Sequence, residues 1–477
     1  MSEKKVALKA VKKNASDKRK PVKKTVVRHS SAVRKGKPRD KPPYKPMSWA
    51  EVFDNNQLPP LPTQLPAIIE TTVSQTPELL KGTVAQAVLV AYSIYAKGLS
   101  FLYNDGRVRE LRMNCLLVAM EGGGKECVTP PVKHILAEVK LRSKADRRRL
   151  KEFNEEYSRK AMNKEKPQRP TDLDIRWLFP DITRPRLGQA MEDAQGGFLF
   201  LKMNELEDWD RVEGKSGRSN SFSTMKIIDD EGNDFGQDRV GAQSVNADGC
   251  LRLNWLADTT EPKLRKYFRH IHGEGPISRI VFGSIPQVEI GAPIPVFGKY
   301  DKNYDDAIRP FIENLKKATG VVECKEAQKM VDKLKAEIDE FSTLTQSRIL
   351  DQLSHRALVA AFRKACLIYA ANGMKWEPEI EYFCRWSLQV DLFLKYSLFA
   401  EDIRKATEDC QGAKSGPRSL LADITTDEHG VFSFNEVLRV YTASGREPDE
   451  KKVHNMLSQW KSRGYILQMT DDSYKRV

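Results

Sequence analysis

Apolar and polar positions divide this chain into stretches of distinct period. After proline-rich runs (KPPYKP at 41–46, LPPLPTQLP at 58–66), a helical period begins near Ala67. The run TVAQAVLVAYSIYA (83–96) is apolar or small on every side, which predicts a buried helix. Leu111 to Met120 (LRMNCLLVAM) has strand length. Three more runs read as strands: Gly196–Leu201, Cys250–Leu256 and Ile277–Phe282, the last carrying Arg279. Residues 130–166 between the first two are charged with a helical period. From Asp301 to Asp409 the period is helical throughout, broken near Asn372-Gly373, and GAKSGP (412–417) reads as a linker. The end of the chain reads as a helix to Ile424, a strand at Val431–Ser433, two helices (Asn435–Ala443, Asp449–Arg463) and a hairpin. Strands alternating with helices predict an α/β class.

These shifts divide the chain into a basic arm (1–46), a proline-rich linker docking onto the body (47–66), an α/β unit (67–300) with a charged helical insertion (about 130–170), a helical region (301–409) and a small unit (418–477). The chain has 477 residues and a net charge of +14. Residues 1–46 hold 17 Lys/Arg against three acids, so the arm carries the whole excess and the body is neutral. Few large apolar residues accompany Lys12-Lys13, Lys18-Arg19-Lys20 and Lys23-Lys24, so the arm is expected to be disordered alone. A polycation of this kind binds nucleic acid by releasing counterions. A solubilising tail and attraction to an anionic membrane are the other readings. No amphipathic helix or lipidation motif supports the membrane.

No apolar run is long enough to span a bilayer, and no h-region marks a secretory signal. Seven scattered cysteines with no CxxC pair predict reduced thiols, a cytoplasmic setting and no metal site. His270, His272 and Glu274 fall short of a convergent ligand set. Cys127 has no evident histidine partner for nucleophilic chemistry.

The most informative segment is CLLVAMEGGGKEC (115–127). A strand runs into three glycines and a lysine, and a helix follows. Phosphate cradles use this order, because the glycines turn successive N–H groups toward one anion and the lysine reaches the terminal phosphates. Against GxxxxGK[ST], the octet from Ala119 to Glu126 departs at two of its four defining positions. Ala119 replaces a glycine, and Glu126 replaces the hydroxyl that holds Mg²⁺. Gly122, Gly123, Gly124, Lys125 and Glu126 are the candidate contacts to ATP and Mg²⁺. The next strand, GGFLFLKMNELEDW, ends at Glu205, where a catalytic carboxylate would stand. Lys202, Met203 or Asn204 takes the place of the metal-binding Asp. Asp258, Thr259 and Thr260 close the following strand, where polar groups would read a γ-phosphate.

In this order, with CLRLNWLADTTEPKL, GPISRIVFGSIP and LSHRALVAAFRKACLIYA, the segments resemble the P-loop, RecA-like primase–helicase-type family of bacterial mobile elements. The resemblance covers about residues 58–400. It implies a RecA-like core with a flanking helical region, phosphate contacts at Gly122–Lys125, a catalytic Glu205, and Arg279 completing a neighbour's site in a homo-oligomeric ring. Replication or mobilisation proteins are implied partners.

The last 60 residues resemble a winged helix-turn-helix. Val453, Met456, Leu457 and Trp460 would pack inward, leaving Lys451, Lys452 and Arg463 for DNA, with Lys475 and Arg476 on the wing. A protein-docking module is the alternative. Two functions remain open from sequence: a DNA-dependent ATPase of helicase type, or a degenerate P-loop protein serving as a DNA-binding scaffold. The departures at Glu121, Glu126 and Lys202–Asn204 favour the second.

Overall fold

The run 83–96 forms a helix, α1 (Lys81–Tyr92), extended by a tight turn at Ser93–Tyr95. Every residue from Thr83 to Tyr92 is buried. A helix apolar on all sides must be enclosed, and α1 is, lying across a five-stranded sheet. The computed structural model describes residues 44–54, 57–119, 124–160, 165, 167–212, 223–237, 247–268, 275–287, 290–410, 420–427, 429–443, 447–462 and 464–476. The basic arm, apart from residues 44–46, lies outside them.

The sheet comprises β1 (Asn114–Ala119), β2 (Trp177–Leu178), β3 (Leu199–Lys202), β4 (Leu253–Thr260) and β5 (Phe282–Ser284). Its order is β2-β3-β4-β1-β5, and every pairing is parallel. The protein is therefore mixed α/β with a parallel sheet. Parallel strands covered on both faces read as unbroken apolar runs, and β4 is buried at all eight positions. All carboxyl ends share one edge. From β1 the chain crosses to the far edge, works back to β4, then steps over β1 to β5. That reversal beside β1 is where ligands of open α/β sheets bind.

Three details differ from the sequence reading. Two-residue β2 is too short for any period to reveal. β4 continues through Asp258 and Thr260 where the reading ended it. Arg279 stands at the end of a short helix, Gly275–Arg279, before β5 and not on it. Ile277 and Ile280 are both buried, and so short an apolar run fits either structure.

Helices α2 (Lys302–Lys317), α3 (Lys325–Thr345), α4 (Arg348–Ala371) and α5 (Pro378–Cys410) follow. They share one apolar core with the sheet, running from Trp49 to Ile403. A strand between α2 and α3, Gly320–Val322, pairs with Leu99–Leu102. Asp391 of α5 accepts from the backbone N–H of Phe282 at 2.7 Å, covering the outer edge of β5. The proline-rich stretch docks on this body: Trp49 and Val52 are buried, and Trp386 Nε1 donates to the Pro59 carbonyl at 2.9 Å. The charged stretch forms a 23-residue helix, Ala137–Arg159, with Arg148–Glu152 and Lys151–Glu155 paired one turn apart.

Close packing of α1 on the sheet sets a test. A Cβ at Gly283 would sit 2.8 Å from Leu117 Cδ2 and 3.4 Å from Gln86 Cβ. Gly283→Val overpacks this contact and lowers stability by about 1–3 kcal/mol; an unchanged urea midpoint would refute the close approach.

The C-terminal unit has helices Leu420–Asp423, Phe434–Ala443 and Glu450–Ser462 and strands β6 (Val431–Ser433), β7 (Ile466–Thr470) and β8 (Ser473–Arg476). The strands are antiparallel in the order β6-β8-β7. Val453, Leu457 and Trp460 enter a separate core that also takes Leu344 of α3. Trp460 Nε1 donates to the Leu344 carbonyl at 2.9 Å, fixing the unit to the body. Among the described residues, no helix is long and apolar enough to cross a membrane.

Candidate nucleotide site at the carboxyl edge of the sheet

After β1 the described chain resumes at Gly124, whose φ of +78° is left-handed. A Cβ there would meet nothing, so glycine is required by the backbone and not by space. Lys125–Val128 forms a tight turn leading directly into the helix Thr129–Ile135. Among the described residues the strand, the left-handed Gly124 and the helix thus follow in that order. Glu121, Gly122 and Gly123 lie outside the described residues, and Glu126 is exposed on the surface of the turn.

Parallel pairing brings neighbouring strand ends to the turn. Lys125 Nζ stands 3.5 Å from Asp258 Oδ1 of β4. Burial raises the Asp258 carboxyl above its usual range; Lys125 and Lys202 oppose this and Glu205 adds to it. Glu205, just past β3, accepts from Lys263 Nζ at 2.9 Å. Lys263 belongs to the helix Glu261–Phe268 that leaves β4. The sequence reading missed it, although a lysine in the first turn after an acid-tipped strand was a usable signal. The second oxygen of Glu205, Oε2, is buried without a partner, as are Thr129 Oγ1 and Thr260 Oγ1. Buried polar atoms are nearly always satisfied, so three unsatisfied oxygens at the ends of β3 and β4 and beside the turn fit a polar ligand with its water or cation.

Cys127 follows Lys125 but is buried, and burial pushes its thiol up to about 12. It is no nucleophile at neutral pH. Arg279 does not join this site. Asn114, the first residue of β1, donates to the Arg279 carbonyl at 2.9 Å, placing the arginine at the opposite, amino edge. Its guanidinium donates to the Gly275 carbonyl at 2.8 Å and lies 3.9 Å from Asp230. Only 17 % of the side chain is exposed. Burial and the neighbouring Arg356 lower its pKa.

Of the expected DNA contacts, Lys451 and Lys452 are exposed on the helix Glu450–Ser462, and Lys475 and Arg476 on β8. Lys452 also pairs with Asp449 at 3.2 Å. Lys12, Lys13, Lys18, Arg19, Lys20, Lys23, Lys24 and Arg463 lie outside the described residues, as do His270, His272 and Glu274.

No model of a known protein family matches this chain, and no curated protein matches it.

Proposed function

We propose that this chain is a DNA-binding P-loop protein of RecA-like type, acting as an ATPase or helicase in replication or transfer of a mobile element. One observation carries the reading: Lys125, Asp258 and Glu205 occupy the carboxyl ends of β1, β4 and β3, with Lys125 held 3.5 Å from Asp258. Gly122, Gly123, Gly124 and the helix start that follows would present backbone N–H groups to a phosphate chain. Lys125 would exchange Asp258 for the terminal phosphates, and Glu205 would orient the attacking water. Mg²⁺ would neutralise developing charge on the phosphates; Glu205, and Glu126 at the turn, are the carboxylates that could hold it.

A specific contact favours the second reading, a scaffold without turnover. Lys263 holds Oε1 of Glu205 and offsets the charge of the carboxylate that would orient a water, and Glu126 stands where a metal-binding hydroxyl belongs. ATP binding and hydrolysis with Mg²⁺, with and without single-stranded DNA, separate the two. DNA-stimulated hydrolysis establishes the motor. Salt-sensitive DNA binding without nucleotide turnover establishes the scaffold.

DNA is held, on this reading, by the arm and by the C-terminal unit in a winged-helix arrangement, its helix Glu450–Ser462 entering the major groove. Replacing Lys12, Lys13, Lys18, Arg19, Lys20, Lys23 and Lys24 by glutamine is expected to flatten the dependence of log K on log salt. Every phosphate that the arm no longer neutralises reduces the slope by about 0.9. An unaltered slope would remove the arm from the interface.

A further inference from the structure

At the amino edge of the sheet, opposite Lys125, a cavity opens between α1, α4, α5 and the starts of β1 and β5. Six cations line it (Arg112, Arg279, Arg356, Arg363, Lys364 and Lys395) against one carboxylate, Asp229. Most of these charges are committed. Arg112 pairs with Glu110 at 2.7 Å, Arg363 with Asp229 at 2.7 Å and Glu231 at 2.8 Å, and Lys395 with Asp391 at 2.8 Å. Asp229 is shared with Arg356.

Lys364 is different. It is 6 % exposed, and among the described residues no carboxylate pairs with it. Its ammonium donates to Ser387 Oγ at 2.5 Å. An ammonium only donates, so the Ser387 hydroxyl must direct its own proton onward, to Gln86 Oε1 at 3.2 Å. This chain of donors fixes the Gln86 amide and leaves its Nε2 buried without a partner. Arg279 Nε and Arg363 Nε are also buried without one. Among the described residues, the unsatisfied groups lining this cavity are donors, and Lys364, whose pKa burial lowers against the opposing pull of Asp391, has no ion-pair partner within 4 Å. A buried charge is retained when something pairs with it.

We propose that this cavity binds a small oxyanion of the phosphate class, held by Lys364, Gln86 and Arg279. Arg279 and Arg356, whose side chains are 17 % and 37 % exposed, form its entrance. The site is independent of the nucleotide reading, because it lies at the other end of the same strands.

Titration of the full-length protein with inorganic phosphate at constant ionic strength, with chloride as control, tests it. Calorimetry and thermal unfolding give two readouts. Phosphate is expected to bind and to raise the unfolding temperature. Lys364→Met, which keeps the apolar stem, is expected to weaken binding at least tenfold and to raise the stability of the phosphate-free protein. Lys125→Ala is expected to leave this binding intact. Should Lys364→Met fail to fold, Arg279→Gln at the entrance reports the same loss. Equal phosphate affinity in the wild type and these variants, loss with Lys125→Ala alone, or no binding by the wild type each overturns the proposal.

Discussion

Lys125→Ala is expected to weaken ATP binding while leaving the fold intact. Lys125 is half-buried, and among the described residues its one ion-pair contact is Asp258 at 3.5 Å. A lysine-to-phosphate hydrogen bond carries roughly 1.5–3 kcal/mol, so affinity should fall about 10- to 150-fold. Stability should scarcely move, since a partly exposed pair contributes under about 1 kcal/mol. Equilibrium titration with a fluorescent ATP analogue, beside thermal unfolding, reads both quantities. Glu205→Gln supplies the complementary case. It keeps the hydrogen-bond geometry and removes the charge, so binding persists while any turnover drops about 10²- to 10⁴-fold. Unchanged ATP affinity in Lys125→Ala would empty the carboxyl edge of its proposed role.

Arg363→Met is expected to cost about 3–5 kcal/mol of stability. Arg363 is buried, with Asp229 at 2.7 Å and Glu231 at 2.8 Å, so the substitution takes the shared cation from two carboxylates and leaves Asp229 to Arg356 and Glu231 to Arg112. Burial alone pushes the Asp229 carboxyl up, but Arg363 and Arg356 outweigh it and hold the group below its usual range. A carboxylate with a depressed folded pKa stabilises fully above its unfolded value, about 3.9. That contribution fades as pH falls through the lower folded value. The wild type should therefore lose stability on acidification below about pH 4. Asp229→Asn should be weaker at neutral pH and less acid-sensitive. Urea midpoints between about pH 3 and 7 measure this. If Arg363→Met and Asp229→Asn add independently in the double variant, the two do not form one network.

Much of the site's frame was legible because strand, glycine turn and helix are local. Ala119 to Lys125 needs only its own sequence to show that an apolar run ends at three glycines and a lysine. Glu205 and Asp258 were legible as polar ends of apolar strands. Their convergence was not. It depends on β4 lying between β3 and β1, a pairing that joins segments far apart in the chain. Lys263 entered with it, since a lysine on a following helix reaches Glu205 only once both strand ends share an edge. Arg279 shows the opposite outcome. Its sequence placed it on a strand, whereas a turn of helix before β5 puts it at the far edge.

By itself the sequence determined the local facts: an enclosed α1, apolar parallel strands, a glycine turn with Lys125, a neutral body and an arm that holds all the excess charge. Those follow from side-chain chemistry and short-range period. Only the tertiary structure decided which strand ends meet and that the late helices join the first core. It alone collected Gln86, Arg279 and Lys364, from three distant segments, around one cavity. Such groupings depend on chain crossings and on which buried donors find partners, and no local pattern encodes either.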